Sequence, residues 1–418
     1  MVRESSTLEY KESVSRTFLK TVSAFANYGT GRIVFGIDDS GVCIGLDDPV
    51  QSCLRIEDMI NDSIDPAPCY TLEVDGEDST VELTVFEGLD KPYTYKGKAY
   101  RRNDSATVEV DRLEYGRLVL EGSNQTYDGL PARQRELSFD ILEGKMRERL
   151  GIDALSGDVL KTLELVSRDG NYTNAAAILA DANDFGGVDI VRFGESANDI
   201  HDRRTVVGTS ALAQFDEAMA MFDTYYRFER ISGAQREQVD MVPPEAFREA
   251  VANAIIHRAW DVQANVTIGM YPDRIEVTSP GPLPPGLTED EYLHGRVSVL
   301  RNPILANVFF RLGYIEKFGT GITRIKNSYQ SSTKVPAFKV RDASVMVVLP
   351  IMSEESELGE KERKVLEAFS SRRSLSRQDV EMQMGLSKDQ ALRMLNGLVS
   401  KGFLEKTGSG RATRYVKR

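Results

Sequence analysis

Apolar and polar positions alternate through the first 120 residues, with a period that changes between two and about 3.6. Segments of period two predict strands with one solvated face, whereas apolar residues three and four positions apart predict helices. The helical segments are 15–27 and 52–62. The strand segments are 8–11, 32–37, 41–46, 70–76, 80–87 and 98–103. This order predicts a mixed sheet with helices packed on it.

The middle of the chain predicts an α/β body, and its clearest helix is PPEAFREAVANAIIHRAWD. This helix begins at Pro243 and Pro244 and carries an apolar stripe. Glu249, Asn253 and His257 follow one another at intervals of four residues, so they share another face of the helix. An acid, an amide and an imidazole in one row are either ordinary helix surface or part of a site.

A second candidate element in the body is the turn Gly319-Thr320-Gly321, which precedes a predicted helix. Backbone N–H groups of such a turn can bind a phosphate, and the positive end of a helix dipole assists them. The chain has no GxxxxGK[ST] segment, which excludes a P-loop motor.

The last part of the chain predicts two helices joined by a short turn and followed by a hairpin. Ser376 and Ser387 stand where helix N-caps are expected, and Gly385 separates the two helices. The hairpin segment GFLEKTGSGRATRYVKR carries Arg411 and Arg414 near its tip.

This outline resembles the winged-helix domains of bacterial regulators. A recognition helix of that kind enters the major groove while a basic wing contacts phosphates. The residues expected to contact DNA are Lys388, Gln390, Arg393, Asn396, Arg411 and Arg414. The alternative is a winged helix used only for protein contacts.

Length and charge divide the chain further. At 418 residues it is long enough for two or three domains. Residues 355–418 hold 14 Lys/Arg against 9 Asp/Glu, a net charge of +5. Because the whole chain has a net charge of −12, residues 1–354 carry −17. A basic end on an acidic body predicts one module that contacts a polyanion. The start lacks the apolar core of a signal peptide and no apolar run could cross a membrane, so a cytoplasmic protein is expected.

Three carboxylates near the N-terminus form the other candidate site. Glu4 and Glu9 bracket a Ser/Ser/Thr turn, and the third acid, Asp38 or Asp39, follows the strand at 32–37. On adjacent strand ends these acids could hold a divalent cation, because hard cations prefer oxygen ligands. The alternative is that they are solvated surface charges.

Most of residues 1–120 resemble the AlbA-like domain shared by Schlafen proteins and many bacterial regulators. The matching segments are ESSTLEYK, AFANYGTGRIVFGIDDSG and YRRNDSAT. In the Schlafen branch with nuclease activity, two glutamates and an aspartate form a metal-dependent RNA-cleaving site, and the resemblance places these roles on Glu4, Glu9 and Asp39. It also implies that Lys11, Arg101 and Arg102 contact nucleic acid.

The helix that carries Glu249 resembles the N box of GHKL-type ATPases, the superfamily of histidine kinases and gyrase. The resemblance implies that Asn253 helps to hold a magnesium ion bridging the phosphates of ATP, and that Glu249 polarises water where hydrolysis occurs. It places Gly319, Thr320 and Gly321 at the nucleotide. Where that family has an aspartate-containing DxGxG segment for adenine, this chain has Ser279-Pro280-Gly281.

Together these features predict an α/β (α+β) multidomain protein. An AlbA-like mixed-sheet domain is expected at 1–120, a helical connector with a GHKL-like body at 121–352, and a winged helix at 353–418. The predicted function is a DNA-binding transcriptional regulator that responds to ATP and Mg²⁺. Duplex DNA is the expected partner, RNA is a second possible partner, and a homo-oligomer is expected because winged helices usually bind paired half-sites. The alternatives are a divalent-metal nuclease acting through Glu4, Glu9 and Asp39, and ATP hydrolysis through Glu249.

Overall fold

The computed structural model describes residues 3–417 except 39, 233–234, 285, 295–298, 317–318, 331, 353–359, 370–373, 401–402 and 409–412. The chain is an α+β protein whose helices and sheets form two compact units, 1–130 and 131–418. Each unit has its own sheets. Among the helices of the described residues, none combines the length and the apolar composition needed to cross a lipid bilayer.

Unit 1 is built on a four-stranded sheet in the order β1-β2-β5-β4, in which β1 and β2 are parallel and the other pairs are antiparallel. Two small pairs, β3 with β6 and β7 with β8, stand beside it. The elements are β1 Leu8–Lys11, α1 Phe18–Tyr28, β2 Gly31–Phe35, α2 Pro49–Ser63, β3 Ile64–Asp65, β4 Tyr70–Asp75, β5 Thr80–Val85, β6 Thr94–Tyr95, β7 Tyr100–Asn103, β8 Ala106–Glu109 and α3 Arg112–Gly122.

Helix α1 forms the centre of unit 1 because its residues are buried on nearly every side. Phe18 and Phe25 pack into the core with side chains of β2 and β5. Asn27 is fully buried, and its amide group exchanges hydrogen bonds of 2.8 Å with the backbone of Tyr93. A buried amide with both groups satisfied fixes the position of the helix.

The strand predicted at 41–46 is not formed. Within these residues a single bridge pairs Ile37 with Cys43. The Asp38 carboxylate accepts hydrogen bonds from the backbone N–H groups of Ser40 and Val42, at 2.9 and 2.8 Å, which closes a turn. Gly41 and Gly45 have φ values of +76° and +72°, which interrupt an extended backbone. The predicted strand at 98–103 does form, but β7 pairs only with β8 and not with the main sheet.

Unit 2 is built on a six-stranded mixed sheet in the order β10-β9-β13-β14-β16-β15, in which only β9 and β13 are parallel. Helices α7 and α8 pack on one face of the sheet. The elements of this body are α4 Asp140–Leu150, α5 Gly157–Thr162, α6 Asn174–Leu179, β9 Val188–Phe193, β10 Ile200–Val206, α7 Ala211–Tyr226, β11 Arg227–Ser232, β12 Gln235–Asp240, α8 Pro244–Ile256, β13 Val266–Met270, β14 Arg274–Pro280, α9 Glu289–His294, α10 Pro303–Arg311, α11 Gly321–Asn327, β15 Ala337–Arg341 and β16 Ser344–Pro350.

The last elements share a core of their own, which includes Val380, Leu395 and Tyr415. They are α12 Glu360–Ala368, α13 Arg377–Met384, α14 Lys388–Ser400, β17 Leu404–Thr407 and β18 Arg414–Lys417. β17 and β18 form an antiparallel pair.

The predicted helix boundaries in this part are confirmed. Ser376 forms a capping box with Asp379, Gly385 ends α13 with a φ of +62°, and the Ser387 hydroxyl accepts from the N–H of Gln390. Residues 353–359, at the start of the domain predicted at 353–418, lie outside the described residues.

Candidate functional site

Glu4 and Glu9, the two described acids of the N-terminal candidate site, both form hydrogen bonds or ion pairs with other groups of unit 1. Oε1 of Glu4 accepts a hydrogen bond from the Tyr10 backbone N–H at 2.9 Å. Glu9 is 5% exposed, and its Oε1 lies 2.6 Å from Nζ of Lys11. Its Oε2 accepts from the Thr21 hydroxyl at 2.7 Å and from the Arg102 guanidinium. Glu9 is therefore the centre of a buried ionic network.

Arg102 joins three segments of unit 1 through its guanidinium. Besides Glu9, it donates to the Ser5 carbonyl at 2.9 Å and to the Thr107 hydroxyl at 3.0 Å. Arg101, the next residue, has a side chain that is 49% exposed and lies 3.5 Å from Glu114. Of the three predicted nucleic-acid contacts in this domain, Lys11 and Arg102 thus neutralise Glu9, and Arg101 extends to the surface.

The metal site predicted from Glu4, Glu9 and Asp39 stays a prediction, because Asp39 lies outside the described residues. In the part of the chain that the structure describes, no three His, Cys, Asp or Glu side chains converge as a metal-binding group. A cation at Glu9 would compete there with both Lys11 and Arg102.

The predicted row on α8 faces a cavity in unit 2. Glu249 is 3% exposed, and its Oε1 accepts a hydrogen bond from the Asn253 amide at 3.2 Å. Its Oε2 is buried and has no hydrogen-bond partner among the described residues. Burial raises the pKa of the Glu249 carboxyl, against the Asn253 hydrogen bond and the charge of Arg324, which lower it. An acid held in this way is disposed to take up a cation or a proton.

His257 completes the row at the C-terminal end of α8. Burial and the nearby charge of Arg301 lower the pKa of its imidazole to about 4. The ring is therefore neutral at physiological pH. It lines the same cavity as Glu249 and Asn253.

The Gly319-Thr320-Gly321 turn reaches this row from the other side. A Cβ atom on Gly321 would lie 2.5 Å from Oε1 of Glu249 and 2.7 Å from Nδ2 of Asn253, so a side chain there would force these two groups to move. Gly319 has a φ of +61°, a left-handed conformation that favours glycine. The two candidate segments, far apart in the chain, thus meet directly.

The cavity between them measures about 160 Å³. All the residues predicted for the nucleotide line it: Glu249, Asn253, Gly319, Thr320 and Gly321. Sequence reasoning missed its other walls, which come from strands β14 and β16, from the stretch around α9, and from the segment before the turn. These residues include Val277, Val345, Val347, Leu283, Leu287, Tyr292, Leu293 and Glu316. All but Glu316 are apolar or aromatic, so they gave no signal beyond that of ordinary core, and Glu316 gave none beyond that of a surface charge.

Ser279 stands at the end of β14, where the resembling family has an aspartate. It is buried, and its hydroxyl donates to the Ala254 carbonyl at 2.8 Å. This bond ties the strand to α8. The cavity therefore has a serine hydroxyl engaged with the backbone at this point, in place of a free carboxylate.

The predicted DNA contacts of the last module lie on its surface. Lys388, Gln390, Arg393 and Asn396 of α14 are all exposed. The Arg414 side chain, on β18, is 56% exposed and lies 3.6 Å from Asp379. Arg411 lies outside the described residues. The described side chains are available to a partner, and their contact with DNA stays a prediction.

Two family models match parts of the chain. Residues 4–111 match the model described as "Schlafen, AlbA_2". Residues 263–349 match the model described as "Putative ATP-dependent DNA helicase recG C-terminal". The second match begins after α8, so it includes the Gly319–Gly321 turn but not Glu249 and Asn253.

Solved structures give further similarities. The DIP2311 protein from Corynebacterium diphtheriae matches over 99% of this chain and 92% of that chain, with 18% identity and a TM-score of 0.49. The N-terminal domain of a "Putative ATP-dependent DNA Helicase RecG-related Protein" from Nitrosomonas europaea matches over 27% of this chain and 85% of that chain, with 27% identity and a TM-score of 0.19. The search of curated proteins gave no match.

Replacing Arg102 by Met should destabilise unit 1, because the buried Glu9 carboxylate would keep only Lys11 as a cationic partner. Breaking a buried ion pair typically costs about 3–5 kcal/mol, and we expect the lower end because Lys11 remains. Hydrogen exchange of β1 and β7 in the full chain measures the loss. Arg101→Met is the matched control and should cost less than about 1 kcal/mol, because that side chain is exposed. Equal losses in the two variants would contradict the network.

Replacing Glu249 by Gln should stabilise unit 2 at neutral pH. Because the folded-state pKa of Glu249 is raised above 4.5, the carboxyl stabilises the fold below that pH and loses this contribution as pH rises through the folded pKa. The neutral amide has no such dependence. Urea unfolding followed by Trp260, which is buried just beyond α8 and is the chain's one tryptophan, should show a more stable variant near pH 7 and no difference near pH 4. A constant difference at both pH values would refute the burial effect.

Proposed function

We propose that this chain, which combines a Schlafen-type AlbA domain with a divergent RecG-like ATPase region, is a transcriptional regulator that binds duplex DNA in response to ATP and Mg²⁺. Both matched families support a nucleic-acid-related, ATP-using protein. The observation that carries the proposal is the meeting of the α8 row with the Gly319–Gly321 turn at one cavity.

The residues at this cavity fit a nucleotide with a magnesium ion. Oε2 of Glu249 is buried, and no group in the part of the chain that the structure describes forms a hydrogen bond with it; the Asn253 amide bonds to the other oxygen. Because Gly321 has no side chain, the backbone of the turn lies directly against the Glu249 and Asn253 side chains. When bound, magnesium would neutralise phosphate charge, with Asn253 as its protein ligand. Glu249 would then accept a hydrogen bond from a water molecule and orient it.

The base of the nucleotide has apolar walls to contact. Val277 on β14 and Val345 and Val347 on β16 face the cavity. Mostly apolar walls with a few polar groups at one end are typical of small-molecule sites. Because the Ser279 hydroxyl is already bonded to Ala254, recognition of the base depends more on shape here than in a site with a free aspartate.

The last module supports DNA as the partner. Helices α12, α13 and α14, followed by the antiparallel pair β17 and β18 on the same core, support the winged helix that we propose here. We assign α14 as the recognition helix, because its exposed residues include Lys388 and Arg393. Arg414 extends the basic surface onto the hairpin. Two copies of the chain would then occupy paired half-sites.

The nuclease alternative receives less support from the contacts of Glu9. Its two oxygens are occupied by Lys11, Thr21 and Arg102. A buried carboxylate with two cationic partners is already neutralised, which favours a role in holding β1 against β7 and β8.

Calorimetric titration of the full chain tests the nucleotide part. The parent should bind ATP in the presence of Mg²⁺, and Asn253→Ala should weaken binding at least about tenfold because a ligand of the metal is lost. Asn327→Ala, at the exposed end of α11, is the matched control and should bind as the parent does. Absence of binding by the parent would refute an ATP-responsive protein.

Electrophoretic titration with labelled duplex DNA tests the other part. The parent should bind duplex DNA with an affinity that falls steeply with salt. Arg393→Ala should reduce the salt slope by about one if Arg393 contacts a phosphate, whereas Arg203→Ala on β10 should not. The same reactions with manganese and structured RNA address cleavage. Cut products that disappear in Glu9→Gln would support the nuclease instead.

A further inference from the structure

An ion pair stands at the edge of the cavity and has no part in the function proposed above. Nη2 of Arg324 lies 2.9 Å from Oε2 of Glu316. Arg324 belongs to α11, one helical turn after Gly321, and Glu316 precedes the Gly319–Gly321 turn. Glu316 lines the cavity. The pair therefore spans the turn that contacts Glu249 and Asn253.

Arg324 also acts on Glu249. The pKa of that carboxyl is raised by burial, and it is lowered in turn by the Asn253 hydrogen bond, by the charge of Arg324 and by that of Arg248. The guanidinium is thus close enough to influence one acid of the cavity while it is bonded to another. Its side chain is 26% exposed and that of Glu316 is 59% exposed, so neither is locked in the core.

Such a pair can exchange partners. An ion pair at the surface contributes little to stability, because both side chains lose conformational entropy and water screens their charges. A phosphate offers a guanidinium two oxygens in the geometry of its paired donors, which is a stronger interaction. A phosphate that enters beside Glu249 would therefore compete with Glu316 for Arg324.

We infer that Arg324 senses the terminal phosphate of ATP, and that Glu316 holds its guanidinium until that phosphate competes for it. This inference rests on the proposed function. If Glu249 lies beside the terminal phosphate, Arg324 lies at the same end of the nucleotide, because its charge acts on Glu249. The pair makes the cavity distinguish a triphosphate from a diphosphate. A regulator of this kind responds to the ratio of ATP to ADP.

Calorimetric titrations of the full chain with Mg-ATP and Mg-ADP test the inference. Arg324→Gln should weaken Mg-ATP binding about 10- to 100-fold, the value of a hydrogen bond to a charged group, and should change Mg-ADP binding less than about threefold. Glu316→Gln frees the guanidinium and should tighten Mg-ATP binding about two- to fivefold. The double variant should match Arg324→Gln, because Glu316 acts only through Arg324.

Arg147→Gln provides the control, because it breaks an ion pair of the same 2.9 Å length on α4, outside the cavity. It should leave both affinities unchanged. Equal losses for Mg-ATP and Mg-ADP in Arg324→Gln would overturn the inference, and so would additive effects in the double variant. A parent that binds neither nucleotide refutes the proposed function itself. A parent that binds Mg-ATP while Arg324→Gln binds it equally well refutes only the role of Arg324.

Discussion

The contact between α11 and α8 holds the cavity of unit 2 together. Gly321 lies so close to Glu249 and Asn253 that a Cβ atom would overlap both side chains. Because the turn has no side chain there, its backbone can approach the polar row. The walls from β14 and β16 then enclose the space that remains. The small size of Gly321 thus lets two distant segments of the chain meet with the Glu249 and Asn253 side chains in their present positions.

Glu9 and Glu249, the two buried glutamates among the described residues, illustrate how similar burial can have opposite consequences. Glu9 receives bonds from Lys11, Thr21 and Arg102, so its charge is balanced inside unit 1. Glu249 has the Asn253 amide on one oxygen, and its other oxygen has no hydrogen-bond partner within the described ranges. A buried carboxylate whose charge is neutralised by cationic partners stabilises the fold. A buried carboxylate without such partners is costly to bury and is characteristic of a ligand-binding site. The cavity in unit 2 is therefore the better functional candidate of the two.

In the proposed nucleotide site, the departure from the resembling family lies at the end expected to hold the base. The end proposed for the phosphates is lined by the α8 row and the glycine turn. At the other end, Ser279 uses its hydroxyl to tie β14 to α8 through Ala254. Under the proposal, the metal and phosphate contacts would come from the first end, and the base would contact the apolar walls. The Arg324–Glu316 pair stands beside the end proposed for the phosphates.

The sequence alone determined the features that depend on local spacing. Helical periodicity places Glu249, Asn253 and His257 on one face of α8, and the Ser376, Gly385 and Ser387 signals set the helix boundaries of the last module. Only the tertiary structure decided which groups meet. Lys11 lies two residues from Glu9 on β1, so local spacing already places them on one face, but Arg102 reaches Glu9 from β7 and nothing in the sequence spacing shows that contact. The strand expected at 41–46 gave way to a turn because the Asp38 carboxylate binds the backbone there. The partnership of Arg324 with Glu316 depends on how the chain folds around the glycine turn, since long-range contacts leave no period in the sequence.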